Sequence, residues 1–132
     1  MTVALAYHVS PTARLALTLA AAEARYRGTG LAVLHVTESS LDADNTEAYR
    51  TGVADEIERA LGPDTVVAWE LHLRSSGLDV GEQVVALTDK VGADLLVIGA
   101  RRRSPVGKAF LGSVTQTIIL QANVPVLVVK AD

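Results

Sequence analysis

The densest group of residues able to do chemistry is GARRRSPVGKAFLGSVT, residues 99–115. It places Gly99 where an aliphatic run ends, Gly107 in mid-loop, and Gly112 beside Ser113 where a helical pattern begins. Glycine lets main chain approach a ligand closely, and the first amides of a helix present free donors and a positive dipole end to an anion. A phosphate site fits that pattern. A simpler reading fits too, in which Gly99 and Gly112 only shape a turn and Ser113 only caps the helix. Arg101, Arg102 and Arg103, with Lys108, either raise the local positive potential for such a ligand or form a solvated loop.

Two familiar nucleotide patterns are excluded. GxxxxGK[ST] needs glycine where Arg102 stands and a hydroxyl where Ala109 stands, so both the phosphate cradle and the magnesium ligand of a P-loop are missing. GxGxxG is missing after the first apolar run, where SPTA (residues 10–13) follows instead. Ser113 has no GxSxG setting and no histidine and acid spaced around it, which argues against nucleophilic hydrolysis. His8, His35 and His72 make no HxH or HExxH pattern, so no metal ligand is assigned. Asp55, Glu56 and Glu58 fall on what reads as the wet face of a helix, and no catalytic residue is assigned. With no cysteine, disulfides and thiolate chemistry are also removed.

The elements that must position the loop follow from hydrophobic pattern and punctuation. TVALAY, residues 2–7, reads as a buried parallel strand. Ser10 and Pro11 supply a cap and first-turn proline for a helix over 12–27, closed by Gly28. LAVLHV at 31–36 is a second strand with His35 inside it, and the polar ESSLDADN at 38–45 leads into a helix over 46–61, closed by Gly62 and Pro63. TVVAWELHLR at 65–74 opens apolar and then alternates, which predicts a third strand at a sheet edge, with Trp69 packed under the second helix. After the turn residues SSG, Asp79 caps a helix to about Val91, and ADLLVIGA at 93–100 is a fourth strand. SVTQTIILQA at 113–122 reads as a last helix capped by Ser113. VPVLVVK at 124–130, apolar on both faces, suits the sheet centre or a seam between two copies.

Strict strand–helix alternation predicts an α/β fold in three layers, a parallel sheet with helices on both faces, because parallel neighbours need right-handed crossovers. The 132 residues suit one domain spanning 1–132. Ligands of such sheets sit outside the carboxyl ends of the strands where strand order reverses, which directs attention to the tips after Tyr7, Val36 and Gly99. Net charge is −3, from 12 basic and 15 acidic residues, too mild to imply a nucleic-acid or membrane partner. No secretory leader or membrane span is apparent, and a cytoplasmic location is expected.

Gly99, twelve residues, Gly112 and Ser113, followed by a helix and NVPVLVVK, resemble the carboxyl half of universal stress proteins, and LHV at 34–36 and GADLLVIG at 92–99 extend the likeness along the chain. The family pattern is glycine, two residues, glycine, nine residues, glycine and a hydroxyl, which falls here on 99, 102, 112 and Ser113. The resemblance implies an open five-stranded sheet of order 3-2-1-4-5, of the adenine nucleotide alpha hydrolase-like type. It implies a homodimer through the last strand, 124–130, and no enzymatic role beyond slow incidental ATP hydrolysis. It places ATP or a related adenine nucleotide, with magnesium accompanying it, between strands one and four, held by Tyr7, His8, Val36, Gly99, Arg102, Gly112, Ser113, Val114 and Thr115.

Two positions depart from the nucleotide-binding pattern. His8 replaces an aspartate at the first strand tip, exchanging a double acceptor for one donor and one acceptor. Arg102 replaces the second glycine, so close main-chain approach gives way to a side chain able to fill that space or grip phosphate in two places. These departures favour the alternative function, a dimeric regulatory module of the same fold that binds no nucleotide.

Overall fold

The computed structural model describes residues 2–8, 11–37, 43–75, 79–101 and 112–131. The elements alternate as expected: β1 (Thr2–Ala6), α1 (Pro11–Tyr26), β2 (Gly30–Thr37), α2 (Ala43–Leu61), β3 (Trp69–Ser75), α3 (Val80–Lys90), β4 (Leu95–Arg101), α4 (Ser113–Gln121) and β5 (Val126–Ala131). All five strands pair in parallel in the order β3-β2-β1-β4-β5. Strand order therefore reverses between β1 and β4, and two of the three strand tips singled out by sequence, after Tyr7 and Gly99, flank that point.

Alternation along each strand divides the interior into two layers. Val3, Leu5, Val33 and Val97 face Leu17 of α1 and Ile57 of α2, while Ala4, Leu34, Leu96 and Ile98 face Val84 of α3 and Ile118 of α4. The alanines of α1 explain its closeness to the sheet. Ala13, Ala16, Ala20 and Ala24 are buried at helical spacing, so small side chains meet the strands where larger ones would hold the helix off.

Helix ends follow their punctuation. Gly28 and Gly62 adopt φ of +67° and +80° just past α1 and α2, a conformation that an L side chain resists. Asp79 caps α3, its Oδ1 accepting from the Glu82 amide at 3.0 Å. At α4 the expectation of a capping serine is corrected: Gly112 is the cap residue, with no side-chain cap bond, and Ser113 is the first residue of the helix. Ser113 already has helical backbone, so the extended conformation that defines a cap falls one residue earlier, on Gly112 (φ −61°, ψ 156°).

Strand boundaries differ from the pattern in one informative place. The third strand begins at Trp69, where the sequence predicts Thr65. Its partner β2 begins at Gly30, and the Leu31 amide takes the Ala68 carbonyl as its first bond to that segment, so no ladder exists for residues 65–67. The apolar residues there serve another purpose: Val67 and Trp69 pack against the first core layer beside the end of α2, as expected for Trp69. The fifth strand is an edge, pairing only with β4 among the described residues.

Candidate functional site

The carboxyl ends of β1 and β4, the end of β2 and the start of α4 enclose a cavity of about 370 Å³. That volume lies in the range of small-ligand pockets. Its walls include Tyr7, His8, Val36, Gly99, Val114 and Thr115 from the sequence-derived set. Gly112 and Ser113 immediately precede this wall at the start of α4 and do not line it, and Arg102 lies outside the described residues, as do Ser10, Arg103, Gly107, Lys108, residues 38–42 and residues 76–78. Sequence reasoning missed the apolar floor, made by Ala6, Leu34, Val80, Val84, Ile98 and Ile118. The missing signal is a three-dimensional one, since these residues come from five elements that meet only in the folded chain.

The two halves of the cavity differ in character. On the β1–β2 side the floor is aliphatic, suited to the faces of a flat ring. On the β4–α4 side the first-turn amides of α4 have no intrahelical carbonyl to bond, because the first helical bond of that turn runs from the Gln116 amide to the Gly112 carbonyl at 2.9 Å. A short anionic group placed there meets those donors and the positive end of the helix. Thr115 adds a hydroxyl to the same wall.

Several side chains have roles that their positions alone did not reveal. Tyr7 contributes main chain only, because its ring belongs to the α1–α2 core layer on the far face of the sheet. There burial first, and the Glu56 carboxylate second, raise its phenol pKa, with Arg14 opposing. Gly99 likewise owes its identity to the far face: a Cβ there would stand 2.9 Å from Thr12 Cγ2 of α1. His8 is exposed as a residue, yet part of its ring is held against protein; that loss of water, and then the nearby His35, lower its pKa. Among the described residues lining the cavity there is no carboxylate.

Larger depressions lie elsewhere. One of about 780 Å³ sits between the end of α2 and Trp69, and one of about 520 Å³ runs along β3 from Thr2, Gly30 and Ala68. Neither joins the strand tips at the point where strand order reverses, which is where ligands of such sheets bind. The smaller cavity is therefore the better candidate.

The sequence profile of the Universal stress protein family matches residues 1–130. The chain belongs to that family. It is 39% identical over 124 residues to a universal stress protein of Mycolicibacterium smegmatis, a match spanning 94% of this chain and 93% of the relative. Among solved structures it is similar to a universal stress protein from Archaeoglobus fulgidus, with TM-score 0.78, 36% identity, and 98% and 97% of the two chains covered. It is also similar to a universal stress protein from the same organism in complex with dAMP, with TM-score 0.70, 32% identity, and 98% and 96% covered. The universal stress protein fold of these neighbours is the sheet order found here. Among the described residues no helix is long and apolar enough to cross a membrane.

Proposed function

We propose that this universal stress protein is a cytoplasmic, non-catalytic stress-response protein of one domain that binds ATP or a related adenine nucleotide in the cavity between β1 and β4. The observation that carries the reading is the junction of an aliphatic floor with the start of α4, whose cap residue Gly112 has no side chain to bond its amides, in one cavity at the strand-order reversal. The adenine lies over Val36 and Leu34 beside His8, and the phosphates reach Gly99 and the segment Gly112–Thr115; the family resemblance adds Arg102, which lies outside the described residues, to the phosphate contacts. The structural neighbour in complex with dAMP supports an adenine nucleotide in this family. Magnesium, on this reading, arrives on the phosphate oxygens, since the described cavity wall offers no carboxylate to hold it.

The same reading pairs two copies through β5. Leu127 on β5 is exposed, as are Leu15 and Leu19 of α1, a helix that packs on β5, and apolar residues left open beside a sheet edge suit a partner.

Titration calorimetry with ATP, ADP, AMP and dAMP tests the reading. Binding with a dissociation constant below millimolar supports it, and no heat at millimolar ligand removes the nucleotide part. A regulatory module without nucleotide is favoured by the two departures from the binding pattern, His8 in place of a carboxylate and Arg102 in place of a glycine. Purified protein whose ultraviolet spectrum shows no bound nucleotide, together with a silent titration, selects that alternative.

A further inference from the structure

His35 is the buried polar group that the cavity does not use. It is 5% exposed, on β2, and faces the α1–α2 layer, away from the cavity. Its Nδ1 is 2.7 Å from the Tyr7 carbonyl and its Nε2 is 2.7 Å from the Tyr49 hydroxyl of α2. A carbonyl oxygen only accepts, so Nδ1 carries the proton and donates to it. In the neutral ring Nε2 is then an acceptor, and the Tyr49 hydroxyl donates to it, fixing the tautomer that the first bond requires. The Tyr7 amide meanwhile donates to the Leu34 carbonyl at 2.8 Å. The peptide joining Tyr7 to His8 is thus bound beyond the end of β1, and the next side chain along it is the one that meets the cavity.

We propose that His35 and Tyr49 are positioning residues for the nucleotide site, holding the Tyr7–His8 peptide from the opposite face of the sheet. The proposal rests on the function given above for its consequence in binding, but its structural part stands apart from it. Removing the bond to the Tyr7 carbonyl takes away one restraint on the peptide and so loosens the hold on His8 in the wall. Tyr49, 36% exposed, carries the same restraint out to the surface of α2, so the β1 tip is tied through His35 to that helix.

Two substitutions separate this role from simple packing. An asparagine amide nitrogen falls near the place of Nδ1, and a glutamine amide nitrogen near that of Nε2. His35→Asn therefore keeps the donor to the Tyr7 carbonyl, and His35→Gln keeps the bond to Tyr49 and loses that donor. Expected for AMP by calorimetry is a dissociation constant within about threefold of the parent for His35→Asn and raised about tenfold or more for His35→Gln. The Tyr7 carbonyl carbon and His8 amide nitrogen chemical shifts, measured without ligand, stay near the parent values in the first variant and move in the second.

Tyr49→Phe, at a partly exposed site, keeps the ring and loses only the hydroxyl. It is expected to keep the Nδ1–H tautomer, which the Tyr7 carbonyl still requires, and to raise the AMP dissociation constant by a few fold through the looser ring. Equal shifts at Tyr7 and His8 in the two His35 variants overturn the proposal. A parent protein that binds no AMP yet shows the predicted shift pattern overturns the nucleotide reading and keeps the positioning role.

Discussion

Gly99 of β4 and Thr12 of α1 are in a contact that leaves no room for a Cβ: the added carbon would lie 2.9 Å from Thr12 Cγ2 and 3.4 Å from the Thr12 carbonyl oxygen. A glycine that the sequence offers as a ligand contact is thus also demanded by a helix crossing behind the sheet. Its main chain still lines the cavity.

Gly99→Ala is expected to lower stability by about 1–3 kcal/mol, the usual cost of forcing extra volume into a packed contact. Thermal unfolding of the variant checks it, and an unchanged midpoint means that α1 yields freely. A companion change, Thr12→Ser, removes the clashing methyl. In the double variant the loss is expected to shrink, which shows that the cost arises at this contact.

Asp79→Ala is expected to cost about 1 kcal/mol through loss of the bond to the Glu82 amide. On the nucleotide reading the effect reaches binding, because Val80 and Val84 of the same helix wall the cavity. A denaturant midpoint that falls in Asp79→Ala and recovers in Asp79→Asn, whose side-chain oxygen can still accept, checks the capping role.

What the sequence could convey was local. Closing glycines at 28 and 62 and the Asp79 cap depend on a few neighbouring residues, and each takes the predicted role. The start of β3 was not legible, because apolar residues 65–67 look like strand while the length of β2 beside them decides where pairing begins. Nor was the cap of α4, since a glycine and a serine at a helix start give two equivalent readings until the backbone is placed. The set at the strand tips was legible as positions but not as side-chain directions: Tyr7 and Gly99 point to the far layer, and only alternation counted from a known register shows it. The His35–Tyr49 bond joins a strand to a helix, and nothing in the spacing of fourteen residues announces it.

His8 makes stability depend on pH in a definite sense. Its folded pKa is lowered from the ordinary value of 6.5, so the unfolded chain takes up the proton more readily. The stability linked to it is therefore complete above pH 6.5 and is lost as pH falls through the lowered folded value. His8→Gln is expected to flatten this part of the profile. Denaturant unfolding at closely spaced pH values checks it, and an equal slope in both proteins assigns the dependence to other groups.

The edge of β5 gives the test of pairing. The Leu96 amide donates to the Pro125 carbonyl at 3.0 Å, and alternation then turns the amides of Leu127 and Val129 toward β4 and those of Val126, Val128 and Lys130 toward the open side. Val128→Pro removes one outward amide and leaves the bonds to β4 in place, a position where an edge strand tolerates proline. If two copies pair through this edge, light scattering is expected to show the parent as a dimer and the variant shifted at least about tenfold toward monomer, a loss of about 1.4 kcal/mol. The circular dichroism spectrum is expected to stay that of the parent, because the ladder to β4 is untouched. A variant that remains dimeric at the same concentrations moves the interface off β5, and Leu15 and Leu19 of α1 are then the next exposed apolar residues to substitute.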